Sequence, residues 1–403
     1  MTRMKGLLST LPEGPEFRLL LELTHPSANI DQSKIISEIM SPQFDDKKFL
    51  DLVEWHRVMP QVYHQLKEAK NGLPDDFFGH LKAMNSRCRM TSLSMSSWLA
   101  RISRRLDTQN ITFISLKGIG LSKHLYGEDG YRECRDIDIL VAPEDVNSTE
   151  RILFELGFVR IKPYAEATTK QLHYFNRHKK DREYFHPEDG ILLELHWRLI
   201  EVDHPFNPSL SELMATGSSI SVHGEKIASM SGVHLWLYQC LHGSLAGWYR
   251  MRWICDIALL LCFHQPDWEH LLELADQYQC RNSLAEAVGL ACALYELPVP
   301  ELVHPSIQRS RSVQRNIERS ANRLFNMLMI CGDLIAYARR IAFCAPASSL
   351  LKYLLGRCLI STGDFERVQL PDKFFFAYYL IRPFSFLLRR MILKNSAAEN
   401  KPH

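Results

Sequence analysis

The stretch 113–141, FISLKGIGLSKHLYGEDGYRECRDIDILV, decides how the chain is read. Phe113, Ile114 and Leu116 form a short apolar run that ends at Lys117-Gly118, which predicts a strand and a tight turn. The following residues to Tyr126 have room for two helical turns. Asp136-Ile137-Asp138-Ile139-Leu140-Val141 then predicts a second strand, one that carries two acids. Successive side chains on a strand point to opposite faces, so Asp136 and Asp138 share one side while Ile137 and Ile139 turn into a core. Two carboxylates set side by side repel each other and persist most readily where a cation holds them. Oxygen-only ligands favour a hard ion such as Mg²⁺, which takes one or two carboxylates together with substrate phosphates.

The turn supplies the complement. Gly118 has no side chain, so a ligand can approach its backbone closely. The helix after it presents free N–H groups and a positive dipole end, a natural seat for phosphate. Lys117 adds a mobile positive charge. A phosphate seat beside a two-carboxylate strand points to metal-assisted nucleotidyl or phosphoryl transfer. A third acid comes from 191–197, ILLELHW, a strand-like run after the turn residues Pro187, Glu188, Asp189 and Gly190. Glu194 and His196 share one face of it; Leu193, Leu195 and Trp197 share the other. Placed next to the Asp strand, Glu194 completes a triad of acids around two ions.

Lys117-Gly118, Leu125-Tyr126-Gly127, Arg132 four residues before the Asp136-x-Asp138 strand, and Glu194-Leu-His-Trp occur in this order. This arrangement resembles the uncharacterised nucleotidyltransferase family of the DNA polymerase beta superfamily, over roughly residues 45–300. The family's Lys-Gly stands where the wider superfamily has Gly-Ser or a similar turn. A later segment is also similar: His242, then Trp248-Tyr-Arg-Met-Arg-Trp253 and Asp256, with Met251 where the family tends to have Leu. The resemblance implies catalytic, metal-holding Asp136, Asp138 and Glu194, with Mg²⁺ or Mn²⁺ as cofactor. It implies Lys117, Gly118, Arg132 and His196 as the nucleotide-binding residues.

Composition bounds the alternatives. At 403 residues the chain has room for two or three domains, and its 46% hydrophobic and 23% charged content is ordinary for a globular protein. A formal net charge of +2 gives no global electrostatic case for nucleic acid. Ten Cys without CxxC pairs read as reduced, packed thiols of a cytoplasmic protein. The first residues lack the apolar core of a signal peptide, and no stretch reaches the roughly 20 apolar residues that cross a bilayer. No HExxH, GxSxG or Walker pattern supports a zinc protease, a serine hydrolase or a P-loop enzyme.

Taken in order, 1–110 predicts a helical N-terminal region, including a long helix opened by Asp75 and Asp76. The nucleotidyltransferase core is expected over 111–200. Within it, 162–182 is polar and basic and reads as a loop or ragged hairpin, and Tyr184-Phe185-His186 and Ile191 to Trp197 read as a hairpin joined through Pro187 to Gly190. A flap turning at His223-Gly224-Glu225 and a helical part are expected over 201–300, and a helical C-terminal region over 301–403, with one helix across 307–337. The aromatic tail 373–391 reads as a terminal element docked on the helical part rather than as a membrane-surface anchor, and the last eight residues as disordered.

Each candidate has a plainer reading. Asp136 and Asp138 can be strand-end acids facing solvent, but after a Lys-Gly turn metal binding is preferred. Arg132 either binds a phosphate oxygen or pairs with an acid. His196 orients a carboxylate, touches a phosphate, or is a structural, hydrogen-bonded His. Trp248 reads as packing, and Asp256 as a buried acid locking helix to core. The expectation is therefore an α+β protein: a small mixed-sheet nucleotidyltransferase fold between helical N- and C-terminal regions. It would be a metal-dependent enzyme that moves NMP from an NTP to a small-molecule, sugar or protein side-chain acceptor and releases pyrophosphate. The rivals are a metal-dependent glycosyltransferase using a sugar nucleotide, and a non-catalytic nucleotide-binding or scaffold protein on the same fold.

Overall fold

A computed structural model of the protein describes residues 14–26, 31–127, 130–201, 204–329, 334–356, 360, 362–382 and 384–385. Its strands are β1 (Phe113–Ser115), β2 (Ile137–Val141), β3 (Val159–Lys162), β4 (Asp181–His186), β5 (Ile191–His196), β6 (Ser218–Val222) and β7 (Glu225–Ser229). They form one mixed sheet in the order β3-β4-β5-β2-β1-β7-β6. β2 runs parallel to β5, with Asp138 opposite Glu194 and Leu140 opposite His196. β1 is antiparallel to β2 and parallel to β7. The fold is mixed α+β, with helices before, around and after the sheet.

Side-chain alternation sends the sheet's two faces into two different cores. Ile137, Ile139 and Val141 of β2 and Ile191, Leu193 and Leu195 of β5 pack with Trp98, Leu99 and Ile102 of the 33-residue helix Asp75–Asp107. On the opposite face, Ile114 and Leu140 join the core of the helical part, built on the helices Gly232–Ala246 and Met251–Phe263. Each such fully buried apolar side chain contributes about 1.5–3 kcal/mol. Asp138, Glu194 and His196 lie on that second face, beneath the helix Gly232–Ala246. That helix is closed by Trp248, which is fully buried against Gly243; a Cβ at Gly243 would stand 2.2 Å from its ring.

Four expectations are corrected. The 219–230 hairpin turns at His223-Gly224 but is no free flap, because β7 joins the sheet through Ser115 and Ser229. Its alternate residues Ile220, Val222 and Ile227 are buried in the first core, which draws the hairpin into the sheet edge. The basic segment after 162 holds the helix Thr169–His178, started by a capping box of Thr168 and Gln171 and anchored by buried Phe175. The expected 307–337 helix is divided into His304–Gln308, Arg311–Phe325 and Leu334–Cys344, the second capped by Ser310. The tail docks, but on the helix Thr169–His178 rather than on the helical part: Gln171 Nε2 donates to the Tyr378 hydroxyl at 2.8 Å, and Thr168 donates to Asp372. The last eight residues lie outside the described ones. Among the described residues the cysteines form no disulfide, and no helix is long and apolar enough to cross a membrane.

The loop before β2 is tied to the helix Met251–Phe263 by a buried ion pair. Arg132 Nε donates to Asp256 Oδ1 at 3.0 Å and Oδ2 at 3.1 Å, and its Nη2 donates to Oδ2 at 2.9 Å. Removing one partner of a buried pair strands the other charge, at a cost of about 3–5 kcal/mol. Asp256→Ala is therefore expected to lower the urea unfolding free energy by about that amount, and Arg132→Met in the same chain should recover part of it. A loss below about 1 kcal/mol, the range of an exposed pair, would mean that the helix docks without this pair.

Candidate active site

The site begins at the turn between β1 and the helix Ile119–Tyr126. Gly118 caps that helix with φ 60° and ψ −122°, a backbone conformation that strains any residue with a side chain. A Cβ there would also stand 3.1 Å from the Asp136 carbonyl oxygen. The turn aims Lys117 across β2, with Nζ 2.8 Å from Asp138 Oδ1 and 3.8 Å from Glu194 Oε2. His196 approaches the same two oxygens: Nε2 lies 3.3 Å from Asp138 Oδ1 and 3.0 Å from Glu194 Oε2. Ligand atoms of Asp138, Glu194 and His196 all fall within 4.8 Å of one another. The second Asp138 oxygen, Oδ2, is buried with no hydrogen-bond partner.

The electrostatics follow from burial working against paired charge. Burial pushes the Asp138 carboxyl up; Lys117 pulls it down and Asp136 and Glu194 push it up, leaving it raised. Burial also pushes Glu194 up, but Lys117, His196 and Lys180 together hold it well below the usual carboxylate range. For Lys117, burial favours the neutral amine, and the charges of Asp138 and Glu194 reverse this and raise its pKa well above the ordinary value. His196 is pushed down by burial and by Lys180. The hydrogen bonds to Asp138 and Glu194 and the charge of Asp181 outweigh both and leave it raised. Lys117, with His196 beside it, thus offsets the charge of buried Asp138 and of partly exposed Glu194.

Lys117, Gly118, Asp138, Glu194 and His196 meet in this one place. Asp136 is half-buried just ahead of β2 and outside the three-residue group; it reaches Asp138 and Lys117 by charge. Arg132 spends Nε and Nη2 on Asp256. Of the two readings left open for it, the structure shows pairing with an acid, though not with an acid of the site.

Two residues escaped the sequence reading. Asp181 stands opposite His196 in the β4–β5 ladder, its Oδ2 3.9 Å from Nδ1, and it pairs with Lys180. Both lie in a charge-rich run whose strand alternation is hard to see. Tyr238 sits four residues before His242 on one helix face, where the charges of Lys117, Lys180 and Glu194 reach both. Burial above all pushes the Tyr238 hydroxyl up to about 12, and burial and then Lys117 hold His242 well below its ordinary value, as neutral imidazole. The spacing to His242 was the available signal.

The family model described as uncharacterised nucleotidyltransferase matches residues 42–296. A solved structure, that of an antigenic nucleotidyltransferase-like protein from Paracoccidioides brasiliensis, is similar at 15% identity. It covers 55% of this chain and 99% of that one, with a TM-score of 0.30. No curated protein matches the chain.

The raised His196 pKa has a sign that stability measurements can read. A His pKa raised by folding contributes stability that is fully present below the unfolded value, about 6.5, and is lost as pH rises through the folded value. The stability difference between wild type and His196→Gln is therefore expected to shrink from pH 6.5 upward, by about 1.4 kcal/mol for each pH unit that separates the folded value from the unfolded one. Urea unfolding at a series of pH values checks it. A difference that grows with pH would mean that the folded protein holds His196 neutral.

Proposed function

The chain belongs to the uncharacterised nucleotidyltransferase family, and we propose that it transfers a nucleoside monophosphate from an NTP to an acceptor hydroxyl or phosphate, releasing pyrophosphate. The observation that carries this reading is the convergence of Asp138, Glu194 and His196 beside the Gly118 turn and Lys117. The donor set fits a divalent cation: two carboxylates and an imidazole, with a buried Asp138 oxygen left without a partner. Asp138 and Glu194, with Asp136 at the edge, would hold Mg²⁺ or Mn²⁺, which when bound neutralises phosphate charge and acidifies an attacking hydroxyl.

The protein's own groups do the rest. The Gly118 backbone and the helix N-terminus behind it seat the triphosphate, and Lys117 neutralises it. Glu194 serves as a ligand rather than a general base. An efficient base has a pKa near the working pH, whereas Glu194, despite its burial, is held far below that by Lys117 and His196. His196 fixes the orientation of both carboxylates through its two contacts. Tyr238 and His242 close the cleft from the helical side. The acceptor is a small molecule, a sugar or a protein side chain, met in the cytoplasm.

Incubation of the full chain with each labelled NTP, Mg²⁺ or Mn²⁺ and a cell extract is expected to move label onto an acceptor. A labelled sugar nucleotide should donate nothing. Asp138→Asn should abolish transfer and divalent-dependent NTP binding. Its melting temperature at neutral pH should hold or rise, because the folded site disfavours the ionised carboxylate. A sharply lowered melting temperature in that variant with metal-dependent NTP binding intact would make the acids structural.

Lys117→Ala should weaken NTP binding by about 1.5–3 kcal/mol, the worth of a hydrogen bond to a charged group. It should leave nucleoside binding nearly untouched, and Gly118→Val should be worse. Equal NTP affinity in calorimetric titrations of wild type and both variants would reduce the turn to a chain reversal.

A further inference from the structure

The run 248–253, WYRMRW, does more than close a helix. It is held against the end of the helix Asp46–His56: Trp55 Nε1 donates to the Tyr249 carbonyl at 3.3 Å, and the Met251 N–H donates to His56 Nδ1 at 3.2 Å. Arg250 donates to the Trp55 carbonyl and lies over the Trp55 ring at 5.2 Å and the Tyr249 ring at 5.1 Å. Arg252, 8% exposed, donates through Nη1 to the Glu133 carbonyl at 2.6 Å. Arg135, at the surface, donates through Nε to the Glu133 carboxylate at 2.9 Å.

Arg57 follows directly on this contact, in the left-handed region at φ 56° as the cap of the helix Asp46–His56. That is an uncommon conformation for a residue with a side chain, and such positions gather at ligand sites. Among the described residues its guanidinium has no hydrogen bond or ion pair, and Nε is buried without a partner. The Nε atoms of Arg250 and Arg252 are likewise buried and unpartnered. Of these four guanidiniums, among the described residues, Arg135 alone is bonded to a carboxylate, that of Glu133. The strain registers on Arg57: burial, then the charges of Arg252, Arg250 and Arg135, push it down to about 10. Burial and the charge of Arg132 push Arg252 down as well.

We propose that Arg57, Arg250 and Arg252, with Arg135 at the rim, form a phosphate-binding site beside the acid group. Guanidiniums that retain unpartnered Nε donors and whose charges reach one another match the several acceptor oxygens of a phosphate, whose two negative charges relieve the mutual repulsion. The site adjoins Asp136, which follows Arg135 in sequence and acts on Arg252 by charge. A phosphate held there belongs either to the acceptor or to the tail of the NTP. The site does not depend on metal binding at Asp138, so it stands or falls apart from the transfer reaction.

The test is calorimetric titration of the full chain with pyrophosphate, without metal and at constant ionic strength. Wild type is expected to bind one equivalent, and Arg57→Gln to bind about ten-fold more weakly or worse. Among the described residues Arg57 bonds to no other side chain, so this variant should fold; its melting temperature without pyrophosphate should rise, and pyrophosphate should close the gap. No binding by wild type, or equal affinity in Arg57→Gln, would overturn the proposal. So would loss of binding in Lys117→Ala with none in Arg57→Gln, which would place the anion at the turn. Repeating the titration with inorganic phosphate and a saturating non-hydrolysable NTP distinguishes the sources. Mutual exclusion assigns the site to the triphosphate tail, and simultaneous binding assigns it to the acceptor.

Discussion

A buried carboxylate, Asp138, and a partly exposed one, Glu194, are forced together by the register of β2 against β5. Like charges about 4 Å apart repel by roughly 4 kcal/mol at the effective dielectric typical of proteins, before the cost of burying either one. The sheet carries this because Lys117 and His196 reach both carboxylates. That requirement runs outward through the structure. Lys117 reaches the acids from a turn that only Gly118 can make beside the Asp136 carbonyl, and His196 is fixed two residues beyond Glu194 on the same strand face.

This part of the molecule was legible because it is local. Alternation places Asp138, Glu194 and His196 on one face and the isoleucines and leucines on the other, and the Lys-Gly turn precedes a helix as its composition suggests. What was not legible depends on partners distant in the chain. Nothing near Arg132 announces that its guanidinium will be spent on Asp256, 124 residues later. The hairpin at 218–229 joins the sheet only because β1 offers a free edge and the first core has room for Ile220, Val222 and Ile227. The helix Thr169–His178 was hidden by its own surroundings: in a run dense in Lys, Arg and His, charge obscured the capping box of Thr168 and Gln171.

The two faces of the sheet make unlike demands. The face toward the helix Asp75–Asp107 is apolar across β2 and β5, and toward its edge buried Arg182 and Tyr184 of β4 donate to Glu150. The face toward the helical part combines apolar contacts near Ile114 and Leu140 with the charged group, so the helices there must seal a core and also close a polar cleft. Tyr238 and His242 fit that double task. Their rings lie 6.0 Å apart, and the His242 ring meets Trp253 edge-on at 5.4 Å. One end of this aromatic row faces the acids and the other leads into the segment that carries Arg250 and Arg252.

The loop before β2 links these features. Within five residues it presents Arg132 to Asp256, Glu133 to Arg252 and Arg135, and Asp136 to the acid group. The first contact is closed and buried, so it fixes the loop against the helical part. The second is under-compensated: among the described residues, Glu133 is the one carboxylate bonded to this arginine cluster, and it bonds Arg135 alone. Anything that neutralises the cluster acts on residues anchored at one end by Arg132 and continuing at the other into β2.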